Sequence, residues 1–264
     1  MPAPTIPIER AIVTAPAPAP MATWEVNAAS VTLGLPELGA IRVSQAGIQI
    51  LAPDEGAQDA TWARLGLWAS AQFYSASGFR VLPGCVIGRF GIGVAITGPA
   101  RHGATLLGLQ MTRHGWGIIS DGLVILDESG RCRTTDSWAT ADSTPLGRLF
   151  PDYPTASFGS GRDRLRVSPP LHASAPLTAV VRMQVKQSLA ALFVGDLTMS
   201  STDPWSSLIG LESVLPNSIP APVPPMVRHL SVRRPMPSTL AELEQVSPIA
   251  IAEQLARLLD GGPC

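Results

Sequence analysis

The side chains with chemistry to offer gather around one short stretch, Gly98-Pro99-Ala100-Arg101-His102-Gly103-Ala104-Thr105. It lies between an apolar run ending Ala95-Ile96-Thr97 and the helical pattern TLLGLQMTRHG. A strand-to-helix loop with glycine at both ends aims backbone N–H groups and a helix N-terminus at a phosphate. Its nucleotide-binding form, GxxxxGK(S/T), adds a lysine that reaches the β- and γ-phosphates and a hydroxyl that holds magnesium. Gly98, Gly103 and Thr105 fit that pattern, and Ala104 stands where the lysine belongs. Arg101 and His102 put positive charge inside the loop, as an arginine finger would, and are candidates to replace the lysine. The alternative for the same residues is a plain strand-to-helix turn with a solvated loop.

Other groups are weaker. Arg162, Arg164 and Arg166 alternate, so a strand would show three guanidinium groups on one face, where a phosphate or an acidic peptide fits; the alternative is a solvated edge strand defended by charge. His172 and His229 have no cysteine or carboxylate at metal-ligand spacing, which argues against zinc. Cys85, Cys132 and Cys264 are odd in number and far apart, so they form neither a disulfide framework nor a CxxC site and read as ordinary thiols. Eighteen of the nineteen basic residues are arginine, leaving Lys186 as the single lysine any mechanism could use.

Several elements must position these groups. Residues 1–21, with the TAPAPAP tract, read as an extended tail without a fold. A small β-rich part follows over 22–76: alternating stretches broken by Gly and Pro predict strands over 24–51. Trp62, Leu65, Trp68, Ala69 and Phe73 predict an amphipathic helix over 61–75. Residues 77–264 read as one larger α/β domain. Within it, two apolar strands hinge at 88–91, the loop opens a helix that ends at Gly115, and one strand, WGIISDGLVIL, carries Asp121. Residues 127–161 read as a long surface loop, and strands around 164–167 and 178–184 return to the sheet. A proline run over 216–226, the strand-like VRHLSVRRP and a closing helix with Ile249, Ala252, Leu255, Ala256 and Leu259 on one face complete the chain.

The stretch GCVIGRFGIGVAITGPARHGATLLGLQMTRHGWGIISDGLVIL resembles the core of the HPr kinase/phosphorylase family in the order, spacing and apolar pattern of its elements. The resemblance is close over about fifty residues, with looser echoes in RDRLRVSPPLHASAPLTAVVRMQ and VRHLSVRRP. It implies a mixed α/β, PEPCK-like P-loop kinase fold in which a serine hydroxyl of a protein or peptide attacks the γ-phosphate of ATP. Position by position, it implies P-loop glycines at Gly98 and Gly103, a magnesium hydroxyl at Thr105, and a catalytic base at Asp121, which would also face the magnesium. The family's lysine falls on Ala104, its histidine ahead of the loop on Pro83, and the second Asp of its Asp-Asp pair on Gly122. The resemblance also implies a homo-oligomer.

Loss of one preorganised stabilising donor typically costs roughly 2.7–4 kcal/mol of transition-state stabilisation, so losing the lysine and a carboxylate together predicts little phosphoryl transfer. The leading expectation is a pseudokinase or partner-binding accessory protein with a degenerate ATP and magnesium site. The second is an active ATP-dependent serine kinase for a small protein or precursor peptide, and the third an assembly protein that binds no nucleotide. Nineteen basic against twenty acidic residues, a net charge of −1, exclude the broad basic footprint of a nucleic-acid binder. No apolar run approaches the roughly 20 residues of a membrane span, and the opening MPAPTIPIER lacks the apolar stretch of a signal peptide; a cytoplasmic protein is expected.

Overall fold

The computed structural model of the chain describes residues 5–13, 23–27, 29–36, 38–98, 103–134, 139–142, 149–153, 155–157, 164–167, 174–186, 193–196, 227–235 and 248–261. It is a mixed α/β protein. Five strands, β1 (Ile8–Ile12), β2 (Thr23–Val26), β3 (Ser30–Leu35), β4 (Gly39–Ser44) and β5 (Gly47–Ala52), form a sheet in the order β1-β5-β4-β3-β2. The pairs are antiparallel except β1, which runs parallel to β5. Alternate residues Val31, Ile41, Val43, Ile48 and Ile50 bury one face against Leu65, Ala69 and Phe73 of helix α1 (Glu55–Ala76).

Two expectations change here. Residues Ile8–Ile12 are a strand, not part of a featureless tail, because Ile-x-Arg-x-Ile alternates and β5 offers a free edge; 14–21 lie outside the described residues. Helix α1 begins two turns earlier than its apolar stripe, since Asp54 caps it by accepting a hydrogen bond from the Ala57 N–H at 2.8 Å.

A seven-stranded mixed sheet follows. Its first members are β6 (Arg80–Arg89) and β7 (Ile92–Thr97), an antiparallel hairpin turning at Phe90-Gly91, both left-handed at φ 50° and 79° as such a turn demands. Helix α2 (Ala104–Thr112) comes next, then β8 (Gly117–Ser120) and β9 (Leu123–Leu126). The single strand expected across Asp121 is thus two. Gly122 at φ 80° breaks it, and both halves pair with the long β6, β9 with its first residues and β8 with its last.

Within the expected 127–161 loop lie β10 (Ala139–Asp142) and β11 (Thr155–Ser157), which flank β12 (Arg164–Val167) in a separate three-stranded sheet. Strand β12 therefore does not join the main sheet as expected; it pairs antiparallel with β10 on one side and β11 on the other. The main sheet is completed by β13 (Leu177–Lys186), β14 (Phe193–Asp196) and β15 (Arg228–Pro235), in the order β14-β15-β13-β7-β6-β8 with β9 beside β6.

Strands β7, β13 and β15 are mutually parallel, and β8 is antiparallel to β6 as β7 is, so four strands end at the same edge. One sheet face packs Cys85, Ile96, Val181 and Leu230 against Leu107 and Met111 of α2 and Leu255 of helix α3 (Pro248–Leu259); the other buries Val86, Ala95, Ile119 and Val180. Each fully buried side chain of this size contributes about 1.5–3 kcal/mol. The buried face of α3 is Ile251, Ala252, Leu255, Ala256 and Leu258, rotated from the expected one so that Ile249 is exposed. Arg89 fixes the far end of the helix by pairing with Asp260 at 3.1 Å.

Candidate active site

The shared carboxyl edge of β7, β8, β13 and β15 is where an open α/β sheet places its ligands, because loops diverge there and helix N-termini point inward. Strand β7 delivers Gly98 to this edge. A Cβ at Gly98 would lie 2.9 Å from both the Cβ and the carbonyl oxygen of Met183 on β13, so only glycine lets the chain leave the sheet here. Residues 99–102 lie outside the described residues, and with them Arg101 and His102. The chain is described again at Gly103, the N-cap of α2, held left-handed at φ 92°. Among the described residues no side chain caps this helix, and no acid stands in its first turn. Backbone N–H groups of that turn have no intrahelical acceptor, leaving a positive helix end facing the sheet edge.

Thr105, on the first turn, donates its hydroxyl to Oδ1 of Asp121 at 2.7 Å. Asp121 directly follows β8, and Gly122 after it turns the chain into β9. The hydroxyl and carboxylate singled out in the sequence therefore meet, carried by different elements. Thr97 and Ser120, the last residues of β7 and β8, bury hydroxyls that have no hydrogen-bond partner among the described residues. Buried polar atoms are normally paired, so these two call for an explanation, as do Thr61, Gln110 and Trp116 elsewhere in the protein.

The sequence did not single out Cys85 for this site. It lies on β6, fully buried, and its thiol hydrogen-bonds the Asp121 carboxylate. Burial, then the neighbouring negative charge and that hydrogen bond, push its pKa well above the ordinary thiol value, so it is an inert donor. Gly108 of α2 makes the room: a Cβ there would stand 2.5 Å from the Cys85 sulfur. No local signal marks Cys85, because VLPGCVIG reads as a plain apolar strand.

The positions departing from the family pattern have structural partners. Ala104, first residue of α2, packs partly buried against the helix-side core. Pro83 sits in β6 opposite Leu123. At Gly122 a Cβ would be left-handed and 2.9 Å from Leu67, so the second carboxylate of the family's pair would be strained there.

Of the alternating arginines, Arg162 lies outside the described residues, while Arg164 and Arg166 belong to β12, the central strand of the separate small sheet. Lys186 is the last residue of β13, in register with Pro235.

Magnesium is bound characteristically by one or two protein oxygens together with phosphate oxygens. The Thr105 hydroxyl and Asp121 carboxylate at an uncapped helix end fit that donor set. Among the described residues no group of three or more His, Cys, Asp or Glu could hold a metal alone.

No family model and no curated protein matches this sequence. Among solved structures, the HPr(Ser) kinase/phosphatase from Coxiella burnetii is similar with a TM-score of 0.32 and 11% identity, spanning 69% of this chain and 93% of that chain. Likeness at that level carries no inference about activity. No helix among the described residues is long and apolar enough to cross a membrane.

Proposed function

We propose that the Gly98–Thr105 junction is the nucleotide-phosphate site of a PEPCK-like P-loop protein whose transfer machinery is incomplete, a pseudokinase or partner-binding accessory protein. The observation that carries this reading is the 2.7 Å contact between the Thr105 hydroxyl and Asp121 at an uncapped helix start. P-loop enzymes hold magnesium with such a hydroxyl and a strand-end carboxylate. Thr105 and Asp121 would hold the ion, which supplies neutralising charge on the phosphates when bound. The open N–H groups of α2 would take phosphate oxygens, and the buried Cys85 thiol would be a further donor to the same carboxylate.

The rest of the machinery is missing. Ala104 brings no charge to the γ-phosphate, a loss worth about 10²–10³ in rate. Gly122 offers no second carboxylate. Binding therefore outlasts transfer, and the protein's output is its nucleotide-dependent association with a protein or peptide partner in the cytoplasm.

The test is thermal stability with and without saturating magnesium-ATP, beside Ala104→Lys. A ligand at about 100 times its Kd, binding only the folded state, stabilises by about 2.7 kcal/mol. A midpoint shift in the natural protein without phosphate transfer to serine peptides is the expected result; absence of any shift in both proteins removes the reading. The retained Asp121 favours one second reading, an active serine kinase with Asp121 as general base and Arg101 or His102 in the lysine's role. Transfer that disappears in Asp121→Asn and in Arg101→Ala would establish it.

A further inference from the structure

Strand β1 is an edge of the five-stranded sheet, and among the described residues no strand pairs with its outer side. Its ladder to β5 begins with the Ile48 N–H donating to the Pro7 carbonyl at 2.9 Å and ends with the Val13 N–H donating to the Ala52 carbonyl at 3.0 Å. In a parallel pair, alternate residues turn both backbone groups toward the neighbour. Pro7, Glu9, Ala11 and Val13 therefore serve β5, and the N–H and C=O groups of Ile8, Arg10 and Ile12 point outward. Their flanking side chains are apolar and open: Ile8 is 47% and Ile12 68% exposed. Edge strands are ordinarily blunted by a bulge, a proline or an unpaired charge; Ile8–Ile12 carries no bulge and no proline, and its carboxylate, Glu9, accepts a hydrogen bond from Gln49 Nε2 of β5 at 3.1 Å. Its other charge, Arg10 at the centre, is paired with Asp59 of α1 at 2.7 Å.

The order of these residues selects an occupant. Ile8-Glu9-Arg10-Ala11-Ile12 is apolar at both ends about Arg10, so the strand is complementary to its own reverse. Antiparallel pairing of two copies about a twofold axis through Arg10 sets each Ile8 beside the partner's Ile12, and the outward groups of three residues meet their equals. The central arginines would face one another, and each brings its own Asp59.

We propose that the β1 edge is a self-association surface through which two copies of this chain join their five-stranded sheets into one continuous sheet. The contact is smaller than a standard interface, so the association is reversible and concentration-dependent. The surface belongs to the sheet that does not carry the Thr105–Asp121 site, and it stands or falls independently of nucleotide binding.

The experiment is sedimentation equilibrium of the full chain from about 1 µM to about 1 mM, the range suited to such a contact. The wild type should rise from 27.7 kDa toward twice that mass. Ile12→Pro removes an outward N–H and leaves every β5-facing donor intact, so it should weaken association at least about tenfold, as loss of two hydrogen bonds per dimer requires. Ile8→Lys with Ile12→Lys, which leaves the backbone unaltered, should do the same and guards against a folding defect in the proline variant. A wild type that stays at the single-chain mass overturns the proposal, as does a dimer that survives both variants. A monomer that binds a labelled peptide of alternating apolar and polar residues, and loses it in Ile12→Pro, assigns the edge to a foreign extended segment and overturns it too.

Discussion

Helices α1 and α2 both follow a strand and pack on a sheet, yet they begin in opposite ways. At α1, Asp54 caps the Ala57 N–H and Glu55 adds a carboxylate to the first turn, so the helix start is chemically closed. At α2, left-handed Gly103 contributes no side chain, no acid follows, and the nearest carboxylate, Asp121, is engaged by Thr105 and Cys85. Capping by a local carboxylate is the cheaper solution for stability. A helix start that forgoes it, beside buried hydroxyls of Thr97 and Ser120 that have no partner among the described residues, leaves its donors open, as the proposed phosphate site requires.

Perturbing each start separately can break this contrast. The largest effect is expected at α2: Gly103→Asp places a negative charge where phosphate would sit, and Asp121→Asn removes the carboxylate. Each should abolish the roughly 2.7 kcal/mol stabilisation by saturating magnesium-ATP, read as loss of the Tm shift. A shift retained in both would show that the open helix end is not the ligand site.

Next is the space behind the site. Gly108→Ala forces a Cβ against the Cys85 sulfur and should cost about 1–3 kcal/mol by denaturant titration. In a Cys85→Ala background most of that cost should vanish, because the clashing atom is gone; additive losses would contradict the packing described.

At α1, Asp54→Ala should cost about 1 kcal/mol and leave the magnesium-ATP shift unchanged, the separation of stability from ligand response that the contrast requires.

The smallest effect is a pH dependence away from both helices. Burial of Asp127 acts to raise its pKa, but hydrogen bonds from Ser129 and the Arg131 N–H, with the Arg133 charge, outweigh it and hold the carboxyl below 3.8. A depressed folded pKa gives stability that is complete above the unfolded value and is lost as pH falls through the folded one. Asp127→Asn should therefore be less stable than wild type at neutral pH, with the difference closing below about 3.8. A difference that widens in acid would reverse the assignment.

Much of the fold was legible because it is written in local periodicity. The hairpin at 88–91 followed from two apolar runs meeting at glycine, and α2 from a pattern ending at Gly115. Other misreadings share one cause, that the deciding partner is distant in sequence. A prolonged apolar stretch concealed the break at Asp121-Gly122, since both halves find a partner in β6. The face of α3 was displaced because periodicity gives a stripe, whereas the sheet chooses its centre. Residues 8–12 looked like tail because a lone alternating pentapeptide has no stability until β5 supplies half of its hydrogen bonds.

The same division holds at the site. By itself the sequence determined the residue types: two glycines around a loop, a threonine on the helix that follows, no lysine at Ala104, and a carboxylate in the next strand. Only tertiary structure decided that Thr105 and Asp121 touch, that Cys85 of β6 reaches the same carboxylate from a third element, and that Arg164 and Arg166 lie in another sheet. The reason is physical. Turn and helix preferences act over a few residues and are fixed by side-chain type, whereas a hydrogen bond between β8 and α2 depends on how β6 aligns both of them, which no short window of sequence contains.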